Sequence, residues 1–152
     1  MKNKKQLQIA ALKNGTVIDH IPSDQLFRVV SILGISKLKT PVTIGFYLNS
    51  KKMKTKGILK ISEKFFEEDE INRIALIAPC VKLNIIRDYE VIKKKTIHLP
   101  VNLKGLIKCN NPNCITNNEP METYFNIIND MTMTVQCYYC DTRIKKEEIR
   151  MS

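Results

Sequence analysis

The amino-acid pattern predicts an α+β chain in which an antiparallel sheet with two helices is followed by a small all-β module. Three observations predict this. From Thr16 the apolar periodicity runs strand, helix, strand, strand, helix, strand, with extra strands at each end. The charge changes character near residue 100: residues 1–100 carry 19 Lys and Arg against 9 Asp and Glu, whereas residues 101–152 carry 6 of each. Four of the five cysteines fall after that point.

Taken in order, "LQIAAL" (7–12) and "TVIDHI" (16–21) read as strands joined by a turn at "KNG". "PSDQLFRVVSILG" reads as a helix that Ser23 caps and Gly34 ends, with Leu26, Val29, Val30 and Leu33 on one face. "VTIGFYL" (42–48) and "GILKI" (57–61) are strands flanking the lysine-rich "NSKKMKTK". A second helix starts in the acidic run Glu67–Glu70, where negative charge suits the helix dipole, buries Ile71, Ile74, Ala75 and Ala78, and stops at Pro79. "VKLNII" and "YEVIKK" are strands around the turn "RD". This order is that of a ferredoxin-like sandwich.

The periodicity lapses at "HLPVN", which places a domain boundary near residue 100 and predicts domains 1–100 and 101–152. About 50 residues are too few for a self-sufficient core, so the second domain needs a metal or disulfide clamp. Neither an apolar run of membrane-spanning length nor a signal-peptide core is found, which predicts a cytoplasmic, reducing location. There, paired thiols favour metal over disulfides.

Cys109 and Cys114 form a C-x4-C pair, and Cys137 and Cys140 a C-x2-C pair, separated by 22 residues that read as a hairpin: "METYFNII", the turn "ND", then "MTMTVQ". Closing it would gather four thiolates around one structural Zn²⁺ in a zinc-ribbon-like module. A redox pair at Cys137 and Cys140 lacks βαβ context, and the spacings match neither common ferredoxin pattern. Cys80 reads as a small buried hydrophobe.

No nucleotide-loop, dinucleotide or zinc-protease motif is present, and the chain reads as non-catalytic. Asp19 and His20 are neighbours in a strand, so they should point to opposite faces and form no relay. In "KTKGILKI", Lys56, Ile58 and Lys60 share one face while Gly57, Leu59 and Ile61 share the other. With "VIKKK", Asn84, Tyr89 and Asp19, these lysines suit a small phosphorylated ligand carrying a base and a sugar. Two other readings stand beside this one: lysines that only solvate a face, and a zinc-ribbon RNA-binding protein. The latter has few aromatics to stack bases, at 7% of residues.

"GTVIDHIP" (15–22), "TIG" (43–45), "LIAP" (76–79), Asn84, "DYEV" (88–91) and the C-x4-C…C-x2-C tail occur in one order. In that order the chain closely resembles the regulatory chain of aspartate carbamoyltransferase over essentially its whole length. The resemblance implies an N-terminal allosteric domain binding CTP as inhibitor and ATP as activator, and a zinc domain docking onto a separate catalytic chain that carbamoylates aspartate. It also implies regulatory dimers, three of which bridge two catalytic trimers. The effector positions it implies are the backbone near Ile9, Ala11 and Leu12, with Val17, Asp19, His20, Lys56, Lys60, Asn84, Ile86, Tyr89, Val91 and Lys94. Ala10 departs from relatives that carry an acid there. Asn111 and Asn113 would face the catalytic chain.

Overall fold

The computed structural model describes residues 12–100 and 103–151. They fall into two compact units, one containing the residues up to Glu67 with Cys80–Ile97, the other Glu68–Pro79 with His98 onward. The strand expected at 7–12 lies outside the described residues except for Leu12, which is irregular.

The first unit holds a five-stranded antiparallel sheet: β1 (Gly15–Ile21), β2 (Val42–Ser50), β3 (Lys54–Ser62), β4 (Lys82–Arg87) and β5 (Glu90–Thr96), in the order β2-β3-β1-β4-β5. This is the ferredoxin-like order with β5 added at one edge. The alternation expected for β3 holds: Gly57, Leu59 and Ile61 are buried, whereas Lys56, Ile58 and Lys60 are part-exposed on the other face. Ile18, Leu59, Ile61 and Leu83 belong to the buried core. Helix α1 (Leu26–Ile32) buries Leu26 and Val29, and Gly57 leaves room for Leu26, whose side chain would lie 2.9 Å from an added Cβ.

Local details depart from the expectations in instructive ways. Ser23 opens a 3-10 turn, Ser23–Gln25, and provides no cap; its hydroxyl donates instead to Thr55 Oγ1 at 3.0 Å. Gly34 ends the helical segment with φ 62°, the left-handed region that glycine enters without strain. β2 and β3 take in most of the lysine-rich stretch, leaving only residues 51–53 as the hairpin loop. The expected "RD" turn is shifted by one residue, so that Arg87 pairs with Glu90 while Asp88 and Tyr89 both take positive φ, 50° and 67°. Two positive values are the signature of the tight hairpin turn whose twist matches its strands. Tyr89 therefore sits on the turn, not in the strand. The turn is fastened from outside, where Asn14 Oδ1 accepts from the Asp88 N–H and the Lys13 carbonyl from the Tyr89 N–H.

The second unit contains helix α2 (Glu68–Ile77), whose Ile71, Ile74 and Ala75 are buried as expected. Cys80, expected to be buried, is exposed: it follows the helix-terminating Pro79 and turns the chain with φ 69°. Beyond residue 100, β6 (Leu103–Lys104), β8 (Tyr124–Asn129), β9 (Thr134–Cys137) and β10 (Arg143–Ile144) form a sheet in the order β10-β9-β8-β6. β7 (Ile107–Lys108) pairs with β11 (Arg150–Met151), and α3 (Ile115–Asn118) is a single turn. The β8–β9 turn spans Asp130–Met133 and is longer than "ND", because Asn129 Oδ1 accepts from the N–H groups of both Met131 and Thr132. Phe125, Val135 and Ile144 are among its buried residues. No helix among the described residues is long and apolar enough to cross a membrane.

Candidate metal centre and ligand-binding face

The metal centre is built from two short loops. One runs from β7 to α3 and carries Cys109 and Cys114; the other leaves β9 at its last residue, Cys137, and carries Cys140 on the way to β10. The four sulfurs all lie within 4.8 Å of one another, with Cys109–Cys140 at 3.5 Å and Cys114–Cys137 at 3.8 Å. Each loop is shaped by backbone hydrogen bonds: Cys114 N–H to Asn111 O at 3.0 Å, and Asp141 N–H to Cys137 O at 2.9 Å with Asp141 at φ 62°. Two amides brace the first loop. Asn117 donates to the carbonyls of Cys109 and Asn111, and Asn118 to those of Pro112 and Cys114.

Burial pushes the Cys109 thiol up to about 12 and also raises Cys137. Burial works upward on Cys140 too, but hydrogen bonding to Thr142, whose hydroxyl lies 3.1 Å from its sulfur, draws it down to about 6. Crowding thiols this closely without a cation is unfavourable once they ionise, and four soft ligands at one point fit Zn²⁺. A four-sulfur set leaves no open position, so the metal here shapes the chain and does no chemistry.

The candidate ligand-binding face is the side of the sheet opposite the buried Ile18, Leu59 and Leu83. Cross-strand register sets Lys60, Val17, Asn84 and Lys94 in one row across β3, β1, β4 and β5. Partners in an antiparallel register share a face. A second row holds Asp19, Lys82 and Thr96, and a third holds Gly15, Ile86 and Val91. Lys56 reaches Asp19 at 2.9 and 3.2 Å, while Tyr89 stands exposed on the turn beyond the third row. Ile9 and Ala11 lie outside the described residues.

His20 corrects the opposite-face expectation. The register shifts between Ile18 and Ile21, and His20 takes φ 61°, a bulge that interrupts alternation. Its N–H therefore donates to Asp19 Oδ1 at 2.7 Å and its Nδ1 lies 3.6 Å from Asp19 Oδ2. Asp19, His20, Lys82, Asn84, Lys94, Lys95 and Thr96 line a pocket of about 330 Å³. Sequence reasoning missed Lys82, although it stands two residues before Asn84 in a strand and period two puts both on one face. Lys95 belongs to the "VIKKK" stretch already singled out in the sequence, whereas Thr96 carried no comparable signal.

Residues 7–98 match the family model described as aspartate carbamoyltransferase regulatory chain, allosteric domain, and residues 102–150 the one described as its metal binding domain. The aspartate carbamoyltransferase regulatory chain of Parabacteroides distasonis is 60% identical over 148 residues, spanning 97% of this chain and 96% of that protein. That of Bacteroides thetaiotaomicron is 59% identical, spanning 97% of both. That of Pyrococcus horikoshii is 44% identical over 146 residues, 95% of this chain and 96% of that protein. These matches give no support to an RNA-binding zinc ribbon. With both halves matched and relatives aligned nearly end to end, the chain belongs, as a non-catalytic subunit, to the aspartate carbamoyltransferase regulatory chains.

Proposed function

We propose that residues 1–100 bind CTP and ATP on the open face of the sheet and that residues 101–152, held by zinc, carry the resulting bias to the catalytic chains. CTP inhibits and ATP activates the entry into pyrimidine synthesis. The observation that carries this reading is the row Lys60–Val17–Asn84–Lys94, with Asp19 one rung away. Lysines meet phosphate oxygens, Asn84 offers both a donor and an acceptor to a base or sugar, and Asp19 accepts from a hydroxyl or amine. Two effectors with opposite results on one site must prefer opposite states of the assembly, since a ligand shifts an equilibrium only through differential affinity.

Exposed apolar groups support the assembly. Phe27, Ile44, Phe46 and Tyr47 are exposed, with ring centroids of Phe27–Phe46 at 5.1 Å and Phe46–Tyr47 at 6.0 Å beside the edge strand β2. Such a patch suits self-association into regulatory dimers, three of which bridge two catalytic trimers. Ile115, Tyr138 and Tyr139 are exposed next to the metal ligands, which suits docking of the catalytic chain there, with Asn111 and Asn113 of the first loop. Four metal-binding thiols suit a reducing cytoplasm.

The test is a calorimetric titration of CTP into the zinc-loaded chain, with and without excess single-stranded RNA. Saturable CTP binding that survives RNA and weakens roughly tenfold or more on Lys60→Ala is expected. Absent CTP binding alongside tight RNA binding would overturn the reading.

A further inference from the structure

We infer that Lys82 is a phosphate ligand of the effector site and that it makes the site count phosphates. This inference rests on the nucleotide reading of the same face. The three cross-strand rows give that face a polarity. At one end Ile86 is buried, Val91 is exposed, and Tyr89 stands on the adjoining turn. At the other end lie Lys82, Lys95 and Thr96, with Lys94 on the middle rung. Each rung is two residues, about 7 Å, further along the strand. A planar base fits the apolar and aromatic end, so the anionic chain extends from the Lys94 rung toward the Lys82 rung.

Charge accounting singles out Lys82 at that far end. Lys56 is committed to Asp19, both of whose carboxylate oxygens it meets, and Asp19 also accepts the His20 N–H. That pair contributes almost no net charge. Lys82 donates one proton to Thr96 Oγ1 at 2.9 Å, which holds its ammonium at the pocket wall with two donors left over. Among the described residues it forms no ion pair with a carboxylate. A lysine so held meets the outer phosphoryl groups of a triphosphate, while a monophosphate stays on the Lys94 rung.

The experiment measures CMP and CTP binding to the full zinc-loaded chain as wild type, Lys82→Gln and Lys82→Arg. Lys82→Gln should weaken CTP roughly tenfold, the scale of one charged hydrogen bond, leave CMP within about twofold, and regain CTP affinity as Lys82→Arg. An equal loss for CMP and CTP, or no loss for either, overturns the role of Lys82 while leaving the nucleotide site standing. Wild-type chain that binds neither nucleotide overturns both readings.

Discussion

The two halves of this chain reach a fixed shape by different means. The sheet unit has residues of three strands and a helix, such as Ile18, Leu59, Ile61, Leu83 and Leu26, fully or almost fully buried. The cysteine module has strands as short as two residues, and its two loops meet at four sulfurs within 4.8 Å of one another. The first spreads its stability over many apolar contacts, and the second concentrates it at one point. The difference teaches where each is vulnerable: a core loses stability gradually with volume, whereas a metal clamp holds or fails as a unit.

The sharpest way to break the comparison is at the clamp. Cys114→Ser should unfold the cysteine module and abolish assembly with catalytic trimers, because structural zinc contributes about 10–16 kcal/mol of linked folding energy. Nucleotide binding by the sheet unit of the same chain should persist, and size-exclusion chromatography beside CTP calorimetry checks both halves. Tight assembly after metal removal would contradict it. Leu59→Ala should do the reverse, costing about 2–5 kcal/mol in denaturant unfolding of the sheet unit while zinc content stays at one per chain.

Acid should act on one half only. Protons compete with zinc for thiolates, so affinity falls as pH falls. Cys109, pushed up to about 12, and Cys137, also raised, hold their protons in the metal-free site at neutral pH, whereas Cys140 at about 6 is already ionised. Zinc must therefore displace at least two protons between pH 8 and 7, and competition with a chromophoric chelator should show a loss of roughly a hundredfold per pH unit. Below about pH 6 Cys140 adds a further one. The smallest effect is expected from Asp19→Asn. Breaking a part-exposed ion pair with Lys56 should change stability by about 1 kcal/mol or less, readable as a small shift of the denaturant midpoint.

Most of the architecture was legible in the sequence because it rests on period and spacing. The alternation in "GILKI" sorted core from face correctly, and the two cysteine pairs announced a clamp before any fold was known. What escaped was set by backbone geometry that side-chain pattern does not encode. His20 joined Asp19 because of a bulge; Tyr89 moved onto the turn because Asp88 and Tyr89 together adopt positive φ. Cys80 was exposed because the chain reverses after Pro79, a matter of direction and not of hydrophobicity. Among the site residues, Lys82 was within reach, since the alternation that selected Asn84 selects it too. The expected roles of Ile9 and Ala11 rested on resemblance alone.

β1 has a further consequence. Its seven residues put Ile18 and Ile21 into the core and turn Val17 and Asp19 toward the open face, with hydrogen-bonded strands on both sides. One strand thus writes two texts in alternate letters. Exchanges at Ile18 are judged by volume, and those at Val17 or Asp19 by what the neighbouring lysines and Asn84 tolerate. An engineer wishing to retune the proposed ligand preference of this subunit can edit the odd-numbered letters from Val17 to Asp19 and leave the intervening one, and with it the fold, untouched.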